Sequence, residues 1–332
     1  MALTWVTPVF EAEVPLLHLQ ARSLARHLPP ADAADVVVLD NTARGLRAAD
    51  RTALLAAYGA HAPRVRVLRP ADVCPLPRTS GWRRQQALKL AVARSVRTPH
   101  YVVLDAKNHL VARPAPHAFV TADGRARVRG YGYRTHPLRP AFGHVLTHLG
   151  IDPEAHVDRF ASTVTPFVLD TEVVRALLQD VEQRAGRPFA HAFVADDLTE
   201  FFLYAGWVVR RDGTLDRVME LTDEPSATIW PRGATVDGVR ETVATVASHA
   251  LPLLAVHRNA VPRLDAPARR VLAAFWAERG LVDSEDDGVA LLAGMARRHA
   301  VERRRQQVRD VVPRALAVAR RARRGRREAA AG

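Results

Sequence analysis

Cysteine is all but missing: Cys74 is the only one in 332 residues. An internal disulfide is excluded, and the chain fits a reducing compartment. Lysine is almost as scarce. Lys89 and Lys107 are the only two among 48 cationic side chains, and every other one is arginine. No apolar run reaches membrane-spanning length; the longest, such as Phe201 to Val209, are about half of what a bilayer requires. The N-terminal MALTWVTPVF lacks the basic start and long apolar core of a secretory signal. No nucleophile elbow, P-loop or CxxC pair occurs, and no internal repeat is visible. These absences lead us to expect a soluble, cytoplasmic protein.

What is present has ordinary globular proportions, with 48% hydrophobic and 25% charged residues. The net charge of +13 is unevenly placed. From Arg297 onward thirteen arginines face only Glu302, Asp310 and Glu328, a local +10 that leaves +3 for the preceding 296 residues. We therefore expect a nearly neutral body over residues 1–294 and an arginine-rich tail over 295–332, helical or partly disordered. In that tail Val301, Val308, Val311, Leu316 and Val318 make a thin apolar stripe interrupted by Pro313. Such a segment could hold the protein at the inner face of an anionic membrane; nucleic acid is the less expected partner.

Along the body, strands and helices alternate. TWVTPVF (Thr4 to Phe10) reads as a first strand, Val14 to Leu28 as an amphipathic helix, and DVVVLD (Asp35 to Asp40) as a buried strand. A helix from about Leu46 to Tyr58 and a strand at Val65 to Leu68 follow. Gly81 onward then gives GWRRQQALKLAVARSVRTPHYVVLDAKNHL: an amphipathic helix, a stop at Pro99, an apolar strand over Tyr101 to Leu104, and a polar cluster. Alternation of this kind predicts an α/β fold with a mostly parallel sheet, whose ligands bind beyond the carboxyl ends of the strands. Further on, Arg125 to Tyr133 reads as an antiparallel strand or a substrate loop, and Ser162 to Leu169 as a strand. Helices are expected over Leu138 to Leu149, Glu172 to Ala185, Val239 to Ser248 and Asp265 to Arg279, with a strand at Pro252 to Val256. Asp196 to Gly206 reads as a capped helix stopped by glycine.

Both lysines fall between Gly81 and His109, in a chain that otherwise uses arginine. That points to sites where a compact ammonium cannot be exchanged for a planar guanidinium, although two residues are also within reach of chance. His144 and His148 stand at i, i+4, compatible with metal ligation but without the glutamate of HExxH; a structural role is the plainer explanation. Trp82, Trp207, Tyr131 and Tyr133 could stack on sugar rings or serve the core.

The first strand ending in TP, DVVVLDN, GWRRQQALKL, VVLDAKNHL, DDLTEFFLYAGW and VHRNAV together resemble a bacterial glycosyltransferase-like domain family of unknown function. The resemblance covers about residues 3–280, and the architecture is similar to the GT-A fold of nucleotide-diphosphosugar transferases: a Rossmann-like, mixed, mostly parallel sheet flanked by helices, here with a C-terminal helical extension. It implies that Thr7, Asp40 and Asn41 lie at the nucleotide end; from their place near the strand ends, Gln85, Lys89, Asp105 and Asn108 are expected on the donor as well. Asp105 would be the first acid of a DxD motif, Glu200 the catalytic base with Asp197 as its neighbouring alternative, and His257 the C-terminal histidine that assists a metal. Lys107 stands where the second DxD acid belongs. Either its ammonium performs part of the metal's task as a catalytic cation, or Asp105 and His257 still hold Mn²⁺ or Mg²⁺. The expected activity is transfer of a sugar from a nucleotide-diphosphosugar to a hydroxyl of a glycan or cell-envelope acceptor. The alternatives are a catalytically inactive protein that kept the fold and binds nucleotide or glycan, and a nucleic-acid or membrane binder acting through the tail. For the acids of DDLTE, helix capping alone is a competing explanation.

Overall fold

The computed structural model describes residues 2–301 and residue 303. The chain begins with β1 (Leu3–Val9), α1 (Val14–His27), β2 (Ala33–Asp40), α2 (Ala48–Ala57), β3 (Val65–Leu68), α3 (Pro70–Val73) and α4 (Gly81–Ala91). Next come β4 (His100–Val103), β5 (Asn108–Leu110), β6 (Ala126–Tyr131), α5 (Arg139–His148), β7 (Phe160–Ala161) and β8 (Phe167–Asp170). Helices α6 (Thr171–Ala185), α7 (Phe189–Ala195) and α8 (Glu200–Asp212) follow. The last elements named are β9 (Met219–Thr222), β10 (Thr228–Ile229), α9 (Val236–Ser248), β11 (Leu253–Val256) and α10 (Ala266–Glu278). Helical backbone then runs over 285–301.

The main sheet has the order β3-β2-β1-β4-β8. Its first four strands are parallel and β8 is antiparallel to β4. All seven residues of β1 are buried, as expected for a central strand covered on both faces. Helix α1 covers it because Leu17, Ala21, Leu24 and Leu28 fall at helical spacing and are all buried. Two small sheets complete the fold: β10-β11-β5, in which β5 runs antiparallel to β11, and β7-β6-β9, in which β6 is parallel to β9. The expected mixed, mostly parallel sheet flanked by helices, with a C-terminal helical extension, is what the chain forms.

The polar residues after β4 form a strand of their own: Asn108–Leu110 are β5 and pair with β11, which fixes the polar cluster against the strand ending in Val256. One expectation changes. Asp196 to Gly206 is not one helix. Asp196 ends α7, Asp197 turns the chain in the left-handed region that aspartate tolerates (φ 53°), and α8 starts at Glu200. Gly206 lies inside α8 rather than ending it. A Cβ there would meet Leu149 Cδ1 at 2.7 Å, so the glycine serves the close packing of α8 on the end of α5. The helix at 285–301 passes through Gly294 and buries Leu292 and Met295. Apart from Val301, the thin stripe and its membrane contact lie outside the described residues.

Candidate functional site

Beyond the carboxyl end of β4 the two lysines meet. Lys89, in the last turn of α4, is 7% exposed and points its Nζ between two carboxylates, 3.0 Å from Asp105 Oδ1 and 3.2 Å from Glu200 Oε1. Lys107 pairs with the other oxygen, Asp105 Oδ2. Thr165 Oγ1 lies 3.0 Å from that same oxygen and 2.7 Å from Asn108 Oδ1. Burial works to raise the Asp105 carboxyl, but the two ammoniums outweigh it and hold the group well below the usual carboxylate range. Burial likewise opposes the charge of Lys89, and Asp105 with Glu200 more than restores it. Glu200 is 5% exposed, and its second oxygen, Oε2, is buried without a hydrogen-bond partner among the described residues.

The backbone of this turn is held from below. Asp105 N–H donates to Asn108 Oδ1 (2.8 Å), and Asn108 Nδ2 donates to Thr165 O (3.1 Å). Gln20 of α1 accepts from Thr7 Oγ1 and donates through Nε2 to the carbonyls of Asp105 and Asn108, all at 2.8 Å. A buried amide with every group paired is a rigid support. Thr7 and Asn108, expected on the nucleotide, are thus spent on positioning the Asp105–Asn108 turn.

From the β11 side, His257 N–H donates to Ile229 O (3.0 Å), and its ring lies 5.2 Å from that of Trp230. Lys107 Nζ stands 5.9 Å from the centre of the same indole. Burial, with help from Lys107 and Arg258, pulls the imidazole down to about 4, so it is neutral near pH 7. Asn259 N–H donates to its Nδ1 (3.2 Å), which assigns the remaining proton to Nε2. In that state Nε2 offers a donor, not a lone pair. The half-buried Glu13, at the exit of β1, completes the cluster. Burial pushes its carboxyl up to about 7, Asp105 adds repulsion, and Arg258, Lys107 and Lys89 oppose both.

The metal set expected at Asp105 and His257 does not fit this arrangement. Both oxygens of Asp105 are taken by ammoniums, His257 Nε2 carries a proton, and among the described residues no group of three or more His, Cys, Asp and Glu side chains could hold a metal. His144 and His148 add no ligand: His144 Nε2 sits 2.8 Å from Asp196 O, and both residues are exposed.

Other expected residues fall elsewhere in the chain's bonding. Asp40 is buried and closes the 40–46 loop, accepting from Thr42 N (3.1 Å), Thr42 Oγ1 (2.6 Å) and Leu46 N (2.7 Å) and pairing with Arg69 at 3.0 Å. Asn41 Nδ2 donates to Gly81 O (2.9 Å), tying β2 to the start of α4, while its Oδ1 and the Nε2 of Gln85 are buried with no partner among the described residues. Asp197 is exposed and pairs with Arg83, away from the Lys89 cluster in its bonding. Tyr133 is fully buried in the aromatic core, and Trp207 Nε1 donates to Asp180 Oδ2 at 3.0 Å. Of the aromatics considered for stacking, Trp82 is the exposed one.

Four contributors were not legible beforehand: Glu13, Gln20, Thr165 and Trp230. Gln20 did carry a signal. It shares a helical face with Leu17 and Leu24, where an amide is costly unless it is paired.

A model of a family of unknown function, DUF6492, matches residues 19–231. The chain belongs to that family. No curated protein matches it. Among solved structures it is similar to the bifunctional glycosyltransferase WbbM, at 14% identity and a TM-score of 0.44 over 77% of this chain and 45% of that one. It is similar to the glycosyltransferase GlyE of Streptococcus pneumoniae TIGR4, at 11% identity and a TM-score of 0.42 over 89% of this chain and 63% of that one. A third is glucosyl-3-phosphoglycerate synthase from Mycobacterium tuberculosis, solved with Mn²⁺, uridine diphosphate and phosphoglyceric acid, at 14% identity and a TM-score of 0.35 over 85% and 80% of the two chains. The DUF6492 chain thus spans less than two thirds of the first two. No helix among its described residues is long and apolar enough to cross a membrane.

The raised carboxyl of Glu13 gives a pH prediction for the folded protein. In the native state Glu13 keeps its proton up to about 7, whereas an unfolded chain releases it near 4.5. The native state therefore binds more protons in that window, so stability falls as pH rises from about 4.5 to about 7. His257, pulled down to about 4 from 6.5, acts in the opposite direction over pH 4 to 6.5. The difference in melting temperature between Glu13→Gln and wild type isolates the first effect: the variant should gain relative stability steadily toward pH 7. A difference that is flat with pH would show that Glu13 titrates normally.

Proposed function

We propose that the Asp105 cluster is the donor end of a glycosyltransferase site. The substrate would be a nucleotide-diphosphosugar, and the acceptor a hydroxyl of a glycan or cell-envelope saccharide. One observation carries this reading: the only two lysines of the chain converge on the two oxygens of Asp105, beyond the carboxyl end of β4. A departing nucleoside diphosphate needs positive charge and donors set in advance. Lys107 supplies a point charge with three donors, His257 Nε2–H a neutral donor, and Arg258 the surplus charge that remains once Lys89 and Lys107 are balanced by Asp105 and Glu200. In the transfer, the bond from the anomeric carbon to the phosphate oxygen breaks and its electrons leave with the diphosphate. The acceptor oxygen bonds to that carbon, and its proton passes to Glu200, whose Oε2 has no other partner among the described residues. The unit that binds donor and acceptor is the body of the chain, and the arginine-rich tail would serve attachment to an anionic surface.

The exchange Glu200→Gln tests the assignment. It preserves shape and the Lys89 contact while removing proton acceptance, so transfer should fall by roughly 10²-fold with donor affinity little changed. The measurement is release of nucleoside diphosphate from candidate sugar nucleotides, beside donor binding by calorimetry. Wild-type turnover in the variant would remove Glu200 from the mechanism. Absence of donor binding in the wild type would instead favour a protein that kept the fold for another ligand.

A further inference from the structure

A cleft opens beside Trp230. It has a volume of about 710 Å³ and is walled by residues 226–233 around β10, the first three turns of α9 and Arg263 beyond β11. Trp230 is 43% exposed, one of only four large hydrophobic side chains exposed among the described residues. Its indole stands beside His257 and Lys107 and also lines this cleft. Arg232 and Arg263 contribute the cationic side chains of the lining and Glu241 its carboxylate, an excess of one positive charge. Both arginines are exposed, and neither forms an ion pair among the described residues, although most arginines of this body do. Thr242 and Thr245 present hydroxyl oxygens from α9, each already donating to the carbonyl one turn back and so left as acceptors.

We infer that this cleft binds an anionic saccharide, a sugar ring seated on the Trp230 face with its carboxylate or phosphate group met by Arg232 and Arg263. A large, flat, partly exposed ring offers a sugar its apolar surface at low entropic cost. Unpaired guanidinium groups are suited to the planar oxygens of either anion. Lysine's absence from the lining sharpens the distinction from the donor end, where the cations are ammoniums locked in ion pairs. Ligand bound here would lie against the same indole that flanks Lys107. Its role as acceptor rests on the transferase reading, whereas the binding itself does not.

The test uses the full chain without any donor, followed by tryptophan fluorescence and calorimetry. Three probes are compared: trigalacturonate, glucose 6-phosphate and the neutral maltotriose. At least one anionic probe should bind roughly tenfold tighter than maltotriose, and the double variant R232A/R263A should erase that margin, because charge-assisted bonds are its source. Trp230→Ala should weaken all binding. Preference between the two anionic probes identifies carboxylate or phosphate as the recognised group. Failure of all three to bind, equal binding of charged and neutral sugars, or a double variant that keeps the preference would overturn the proposal. Because no donor is present, these outcomes leave the donor site untouched. Conversely, a protein that binds the charged sugar but no nucleotide would sink only the donor reading.

Discussion

Lys89→Ala is expected to destabilise the protein by about 3–5 kcal/mol, more than any other single substitution on the cluster. The ammonium is the shared counter-charge of two carboxylates, Asp105 at 3.0 Å and Glu200 at 3.2 Å. Its removal leaves Glu200, 5% exposed, with a buried charge and no cation, and leaves Asp105 with Lys107 alone. A buried pair broken on one side costs more than the pair contributed, because the surviving charge has lost its solvation as well as its partner. The cost should shrink in the double variant Lys89→Met with Glu200→Leu, where both charges leave together and the volume is largely kept. Chemical denaturation of wild type and the two variants decides it. If Lys89→Ala unfolds at nearly the wild-type denaturant concentration, the triad is hydrated and mobile, and its role as a fixed support for Asp105 fails.

The second large effect concerns the cation that stands in place of an acid. Lys107→Asp changes the local charge by two units beside Asp105, and donor affinity without added metal should drop roughly 10–10²-fold, since a charge-assisted contact worth about 1.5–3 kcal/mol is lost. The same variant gains a second carboxylate two residues from Asp105, a pair of oxygen donors that a divalent cation prefers. Addition of Mn²⁺ should then restore a large part of the lost affinity in the variant and do little for the wild type. Calorimetry with and without a chelator distinguishes the cases. Donor binding by the wild type that collapses in chelator would show that a metal acts at this site despite the two ammoniums.

The sequence and the structure agree where the physics is local. Strand β3 was placed at Val65 to Leu68 to the residue, and α6 and α9 within a few residues, since each has an apolar period and an end signal of its own. The capped start of α10 is likewise local: Asp265 accepts from Ala268 N at 2.8 Å. The same logic failed at Asp196 to Gly206. There the acids and the glycine carry the usual marks of helix ends, but Asp196 closes the preceding helix, and Gly206 is demanded by Leu149, which is remote in sequence. No local pattern encodes that contact.

By itself, the sequence determined the alternation of strand and helix, the nearly neutral body with its basic tail, and the segments that would bring chemistry to the strand ends. It also marked Lys89 and Lys107, because a chain that otherwise uses arginine keeps lysine at only these positions. Only the tertiary structure decided what the marked residues do. Eighteen positions separate the lysines in sequence, and Glu200 lies 111 positions beyond Lys89, yet their charges share one buried cluster. Asp40, read as a ligand contact, closes its own loop, and Thr7 donates to Gln20 of α1; Gln20 and Thr165, read as ordinary helix and strand residues, hold the Asp105 turn. The reason is that periodicity reports which side of an element faces the core, whereas the partner of a buried polar group is set by which elements pack beside it. In this fold α1, α4 and α8 all bring polar groups to the carboxyl edge of β4, where desolvation favours the pairing of Lys89 and Lys107 with Asp105 and Glu200.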